Sequence, residues 1–328
     1  MVRKSRAHKK TSTSSTLVFQ SDRFLTLKNQ ETFEKLNVYR KVWAEHKVIL
    51  DEVDPEIRRS FDRRGWLPLL DVDHPPLAFL IREFYSNLSV HSTSSNIQFV
   101  NSWIRGEEYV ITSQVVAYAL GVPLVQQPVY HYTKVPPLND IMSLITGTSI
   151  QWGTDPRITS HELTELNYLF FQISYHSIWP ISHLHTIPIK RCAFLYALVA
   201  DASICFPSLF ISSLVEVYRS SSKGHGLFFP IFIHRILLDL GLENFPASKP
   251  IHIITPIGAT FLRQRVAQMK ASSKRLKVEF SIGDASQPPP SGDPSAEEFV
   301  NPTATVDPPP SSSSDASIRS MLETIMTV

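Results

Sequence analysis

The sequence predicts a mostly α-helical protein, with a single helical domain, one small β-hairpin and disordered ends. Apolar residues recur at helical spacing through the middle of the chain, whereas strand-like alternation is confined to one short stretch. Apolar side chains make up 43 % of the 328 residues, which is enough for a sizeable core. Because β-branched runs do not alternate with the helical segments, a parallel α/β fold is not expected.

The composition divides the chain into four regions. Residues 1–20 form a basic, Ser/Thr-rich arm, and residues 21–64 form a polar, weakly helical lead-in. Residues 65–278 form the apolar helical domain. Residues 281–328 contain eight prolines and several serine runs, followed by a short amphipathic segment. The arm and this tail are predicted to be disordered because such compositions cannot bury a core.

The helices are placed by their periodicity and by start and stop residues. They are a helix opened by Pro75–Pro76, a helix from Thr112 or Ser113 to Leu120, a short helix at 139–145, a longer one from Thr159 or Ser160 to before Pro180, helices at 189–203, 207–219 and 229–240, and a final helix from Pro256 to about Lys277. The hairpin is predicted around Arg105-Gly106, between apolar residues of 97–104 and 109–111.

The charge of the chain is unevenly distributed. The net charge of residues 1–10 is +5 and that of residues 281–328 is −6. Since the whole chain carries +2, the residues between them carry +3. The globular part therefore lacks the general basic excess of many nucleic-acid-binding domains.

Cysteine usage and hydropathy indicate an intracellular protein. Cys192 and Cys205 show neither metal-binding spacing nor a disulfide framework. The basic start is followed by a polar run and not by an apolar signal core. Asp201, Pro207 and Glu216 interrupt the most apolar stretch, so no membrane contact is expected.

Several short motifs occur in an order and spacing that resemble a known family. They are Arg64-Gly65-Trp66, Glu83-Phe84-Tyr85-Ser86-Asn87, Arg105-Gly106, Leu120-Gly121-Val122-Pro123, Trp152, Pro180-Ile181-Ser182-His183, the segment 191–200, and the segment from Phe229-Pro230-Ile231 to Leu240-Gly241. Over residues 60–265 the chain resembles the plant transposon protein domain of retroelement-derived open reading frames. The resemblance implies a retroelement origin and assigns no catalytic residue. Ala202-Ser203 stands where the family would have a glycine.

Carboxylates do not form a convincing nuclease site in the sequence. A transposase-like reaction needs three carboxylates around two metal ions. The available residues fall in a turn-like segment, near predicted helix ends or within a short helix: Asp71, Asp73, Asp140, Asp201 and Asp239.

Metal-binding and nucleophilic motifs are weak as well. His176, His183, His185 and Cys192 have irregular spacing for zinc and are interpreted as structural. Gly224-His225-Gly226 lacks the lysine and threonine of a phosphate-binding loop, and no Gly-x-Ser-x-Gly elbow occurs. The sequence therefore predicts no enzyme activity, no metal, no cofactor and no small-molecule substrate.

Two basic segments are candidate contacts for nucleic acid. The N-terminal arm contributes Arg3, Lys4, Arg6, Lys9 and Lys10. The final helix contributes Arg263, Lys270, Lys274 and Lys277, whose offsets of 7, 11 and 14 form one stripe, with an apolar stripe of Leu262, Val266, Met269 and Leu276 expected on the opposite side. Such a helix can bind phosphates, an anionic membrane surface or an acidic partner, or can be a solvated face.

Two functions are compatible with these features. The first is a non-enzymatic, retroelement-derived structural or interaction protein, such as a Gag-like module that self-associates. The second is a nuclear protein that binds nucleic acid or chromatin without sequence preference.

Near the C-terminus, Ile318, Leu322 and Ile325 keep helical spacing and are candidate partner-binding residues. The basic arm favours the nucleus over the cytoplasm.

Overall fold

The chain is mostly helical, as its periodicity predicts. The computed structural model describes residues 18–72, 77–94, 98–130, 136–148, 157–180, 185–220, 226–243 and 255–284, with Arg157 and 275–284 described by their backbone alone. Eleven α-helices lie in these ranges: α1 Leu27–Tyr39, α2 Pro55–Arg63, α3 Leu67–Leu70, α4 Ala78–Ser86, α5 Ser113–Leu120, α6 Leu138–Thr146, α7 Glu165–Ile173, α8 Ile189–Val199, α9 Phe206–Arg219, α10 Pro230–Asp239 and α11 Ala259–Asp284.

Two small antiparallel sheets accompany the helices in the described ranges. The first contains β1 Ser89–Ser92, β2 Gln98–Ile104 and β3 Glu107–Ile111, and the second pairs β4 Arg157–Thr159 with β5 Thr186–Pro188. The β2–β3 hairpin is the predicted one. Arg105 and Gly106 form its turn with φ values of 54° and 89°, as a two-residue hairpin turn requires.

The prediction of one hairpin alone was therefore wrong. Strand β1 adds a third strand, with Val90 opposite Val100. Its Ser-Val-His-Ser sequence lacks the apolar alternation that marks a strand. Strands β4 and β5 are short and lie far apart in the chain, so their pairing depends on tertiary contacts.

Helix α5 shows how local residues set a helix boundary. The Thr112 side chain accepts a hydrogen bond from the backbone N–H of Val115, at 3.3 Å. Gly121 ends the helix in the left-handed region with φ 67°, where a side chain would be strained. Both boundaries agree with the prediction.

The long helix predicted from Thr159 or Ser160 is divided into consecutive segments. Thr159 and Glu162 form a capping box around a 3-10 turn, and Thr164 then caps α7. A π-helical segment, Ser174–Ile178, follows α7 directly. Two N-terminal caps thus occur five residues apart, where the sequence predicts one helix start.

Buried side chains from Leu36 to Met269 form one contiguous hydrophobic cluster. Leu36, Val48 and Ile57 bring the lead-in residues 21–64 into this cluster. The region boundaries chosen from composition stay predictions, and the predicted disordered ends lie largely outside the described residues. None of the described helices combines the length and apolar character needed to cross a membrane.

Removing the cap of α5 tests the local origin of that helix. Thr112→Ala should lower the free energy of unfolding by about 1 kcal/mol, because the N–H of Val115 loses its acceptor. Thr112→Ser keeps a hydroxyl and should stay close to the wild type. Urea unfolding followed by circular dichroism measures both, and equal losses in the two variants would contradict the capping role.

Candidate interaction surface

Arg64, from the Arg-Gly-Trp motif, closes the C-terminal end of α8. Its side chain is 7 % exposed. One guanidinium nitrogen lies 3.1 Å from the carbonyl oxygen of Leu198 and 3.2 Å from that of Ala202. Burial lowers the pKa of Arg64, and the carboxylate of Asp201 opposes this effect. The motif residue therefore adds a donor to carbonyl groups at and just after the end of the helix, where Leu198 also accepts from the backbone N–H of Asp201 at 3.3 Å.

Asp201 explains how the chain turns after α8 without the expected glycine. It has φ 54°, a left-handed conformation that aspartate tolerates better than most residues. Its two carboxylate oxygens lie 3.1 Å from Arg63 and 3.0 Å from Arg64. The helix predicted over 189–203 consequently ends at Val199.

The motif at 83–87 joins the segment before α1 to the β2–β3 hairpin. Glu83 is fully buried, pairs with Arg23 at 2.9 Å and accepts a hydrogen bond from the backbone N–H of Arg105 at 3.1 Å. The amide of Asn87 donates to the carbonyls of Arg23 and Trp103 at 2.9 and 2.7 Å. These polar groups therefore fasten two segments of the fold.

A cation–π contact joins the start of α8 to the residue that follows the π-helical segment. The guanidinium of Arg191 lies 3.3 Å from the ring centroid of Trp179. The Tyr175 hydroxyl donates to the Arg191 carbonyl at 2.6 Å. Burial lowers the pKa of Arg191 to about 10. Like Arg64 and Glu83, this motif residue is engaged in packing.

The aspartates considered for a nuclease site lie in separate places. Asp71 pairs with Lys47 at 2.8 Å, and Asp201 pairs with arginines. Asp140 lies in the first turn of α6 and Asp239 ends α10, whereas Asp73 lies outside the described residues. Among the residues that the structure describes, no three His, Cys, Asp or Glu side chains are grouped to hold a metal ion.

The histidines considered for zinc separate into two unrelated pairs. The His176 ring lies 4.6 Å from that of His46, and the His185 ring lies 5.8 Å from that of His161. Cys192 is buried, which raises the pKa of its thiol to about 12 and disfavours the thiolate that binds metals. His183 and the Gly224-His225 part of the glycine motif lie outside the described residues.

Helix α11 docks through its apolar side and leaves three of its cations at the surface. Leu262 and Met269 are buried, and Arg263, Lys270 and Lys274 are exposed. Lys277 belongs to α11, but its side chain is outside the description. The candidates in the arm (Arg3, Lys4, Arg6, Lys9 and Lys10) and in the tail (Ile318, Leu322 and Ile325) lie outside the described residues.

The basic stripe borders the docked side of α11 and does not lie opposite it. At about 100° per residue, Arg263, Lys270 and Lys274 point about a quarter turn away from Leu262 and Met269. Lys270 reaches the body, where its ammonium lies 2.6 Å from the carboxylate of Glu165 on α7. Both side chains are about half exposed, so this ion pair is weak and open to competition.

Glu45 is a functional group of the fold that sequence reasoning missed. It is buried and accepts hydrogen bonds from the backbone N–H groups of Ile231 and Phe232, at 3.0 and 3.2 Å. Burial raises its pKa to about 7, against the lowering effect of these bonds. The signal was indirect: α10 starts after Phe229, which has no capping side chain, so its N–H groups need an acceptor from elsewhere.

The comparisons with known proteins give one match. Residues 62–242 match the family model described as "Putative plant retrotransposon-related domain". The matched range contains Arg64, Glu83 and Arg191, and it ends before α11. No curated protein and no solved structure matches the chain.

Adjacent arginines provide a test of the helix-closing role. Arg64→Met should lower the free energy of unfolding by about 2–4 kcal/mol, because the buried guanidinium that donates to the carbonyls of Ser60, Leu198 and Ala202 is lost. Arg63 is the matched control, since it pairs with the same aspartate but is 56 % exposed. Arg63→Met should cost less than about 1 kcal/mol. Equal losses in urea unfolding would contradict the distinction.

Proposed function

The chain belongs to the plant retrotransposon-related domain family, and from this premise we propose that it is a non-catalytic interaction protein that binds nucleic acid through α11. The observation that carries the proposal is the exposed stripe of Arg263, Lys270 and Lys274 on a docked helix. The stripe spans about 16 Å along the helix axis, so that its cations can follow a line of phosphates.

The non-catalytic part of this proposal is supported by the contacts that the polar motif residues make within the fold. Arg64, Glu83 and Arg191 are engaged with carbonyl groups, ion pairs or aromatic rings in the fold. A catalytic group needs a polar side chain positioned toward a substrate. The polar residues of these motifs are instead used to hold helices and strands together.

The expected binding mode is electrostatic and independent of sequence. Lysine and arginine side chains that contact phosphates position a protein on nucleic acid without discriminating bases. Three phosphate contacts correspond to a slope of about −2 to −3 for log affinity against log salt. A nuclear location, expected from the basic arm, forms part of this proposal.

Self-association of the Gag-like kind is the second candidate. Four large apolar side chains are exposed just before α1 and at its start: Val18, Phe19, Leu25 and Leu27. Val18 is 81 % and Leu25 61 % exposed. Exposed apolar groups so close together are typical of contact surfaces.

Charge removal on α11 tests nucleic-acid binding. In the full-length protein, Lys270→Gln with Lys274→Gln should weaken binding to a labelled duplex about tenfold and reduce the salt slope by about 2. Lys28→Gln with Lys35→Gln removes two exposed lysines of α1 and is the matched control. Fluorescence anisotropy across a salt series measures both.

A third variant reports on the ion pair at Lys270. Glu165→Gln removes the carboxylate that competes with phosphate for this ammonium, and it should tighten binding. Affinity that ignores salt, or an equal loss in the α1 and α11 variants, would overturn the nucleic-acid proposal.

Self-association is tested by light scattering after size-exclusion chromatography. The full chain is needed, since Glu45 and other residues of 21–64 are buried in the body. We expect the mass to rise with protein concentration, and Leu25→Ser with Leu27→Ser to abolish the rise. A monomer at every concentration would exclude this candidate.

A further inference from the structure

Helix α11 rests on two pairs of histidines. Near its first turn, the Phe261 ring lies 5.6 Å from the ring of His176 and 6.3 Å from that of His46. Further along, the Ser273 hydroxyl donates to the backbone carbonyl of His161 at 3.4 Å, and His161 faces His185. The first contact is with the imidazole rings themselves, and the second is with the backbone of a histidine whose ring faces another.

One ring in each pair, His176 and His161, has a nitrogen without an acceptor for an additional proton in the part of the chain that the structure describes. Nε2 of His176 and Nδ1 of His161 are buried, and neither has a hydrogen-bond partner among the described residues. An imidazolium carries an N–H on both ring nitrogens. Protonation would thus create buried donors without acceptors, at a substantial cost in free energy.

Charged neighbours add to this cost at the first pair. Arg265 of α11 lowers the pKa of both His46 and His176, and His46 lowers that of His176 further. The Nδ1 atom of His46 lies 3.2 Å from the carbonyl oxygen of Thr255, which accepts a hydrogen bond from it. At the second pair, Glu162 favours the charged form of His161 and His185 disfavours it.

The titration behaviour agrees with this geometry. Burial, followed by the effects of His46 and Arg265, lowers the pKa of His176 to about 3. Burial also lowers the pKa values of His46 and His161. Release of α11 would remove the effect of Arg265 and the cover of Phe261, so the pKa values of His46 and His176 would rise toward the ordinary value of about 6.5.

We propose that the docking of α11 is a pH-sensitive latch, which is closed while His46, His161 and His176 are neutral and opens when they take up protons. The latch stands on the contacts above, whereas any effect on nucleic-acid binding rests on the proposed function. Since the basic stripe lies on α11, opening would move Lys270 away from Glu165 and change the position of the stripe relative to the rest of the protein.

The sign and size of the effect follow from proton linkage. A histidine whose pKa is lowered by docking stabilises the docked state fully above about pH 6.5, and this stabilisation is lost as the pH falls. For one such histidine, the opening equilibrium of α11 should rise about twentyfold between about pH 7 and about pH 5.

The stabilisation from Glu45 depends on pH in the opposite direction to that from the histidines. The latch must therefore be tested by a local measurement on α11 and not by global unfolding. Its pKa is raised to about 7 by folding, so its stabilisation is present below about pH 4.5 and is lost as the pH rises through about 7. Glu45 accepts its hydrogen bonds from the first turn of α10. Global unfolding would mix both effects, whereas local exchange separates them.

Hydrogen–deuterium exchange of the full-length protein tests the latch. After correction for intrinsic exchange, amides of 262–274 should lose protection ten- to twentyfold from about pH 7 to about pH 5. Helix α9, which is largely buried, should keep its protection. Equal protection of α11 at both pH values would overturn the proposal, whatever the result for nucleic acid.

Glutamine variants assign the effect to particular rings. His46→Gln with His176→Gln should leave the protection of 261–268 nearly independent of pH. His91→Gln is the matched control, because His91 is exposed on β1 and stacks on Phe99; it should retain the wild-type pH dependence. If the double variant does not fold, His46→Gln alone should reduce the pH dependence. An undiminished dependence in a folded variant would contradict the assignment.

Discussion

Helix ends that lie inside a hydrophobic core need polar partners other than water, and this requirement determines how the helices are held together. At the end of α8, the guanidinium of Arg64 takes the place of water. At the start of α10, the carboxylate of Glu45 does so. Each side chain comes from a distant segment, so satisfying a helix end also joins two parts of the chain.

Features encoded within one segment could be predicted from the sequence. Thr112 and Gly121 bound α5 as expected, and Arg105-Gly106 forms the expected hairpin turn. Strand β1 could not be predicted in this way, since its partner β2 supplies the pattern that its own residues lack. The cap that Glu45 provides could not be predicted either, because donor and acceptor are separated by most of the chain.

The predicted arrangement of the two stripes on α11 was wrong in its geometry, and the nucleic-acid contacts of its residues stay a prediction. Arg263, Lys270 and Lys274 are exposed as expected, but they border the docked side of α11. A stripe opposite the core would be free of the body, whereas a bordering stripe brings Lys270 to Glu165. The sequence offsets already place Leu262 and Met269 about 100° from the cations, whereas the contact of Lys270 with Glu165 depends on where α7 lies and could not be predicted.

The π-helical segment Ser174–Ile178 has a consequence for changes in chain length. A π-helical turn accommodates one residue more than an α-helical turn. Deleting one residue there would restore regular winding and rotate the following side chains by about 100°. His176 would then face away from His46, although α7 before the deletion would be unchanged. The loss of a single codon would thus remove a contact on which α11 docks and leave the helices before it in place.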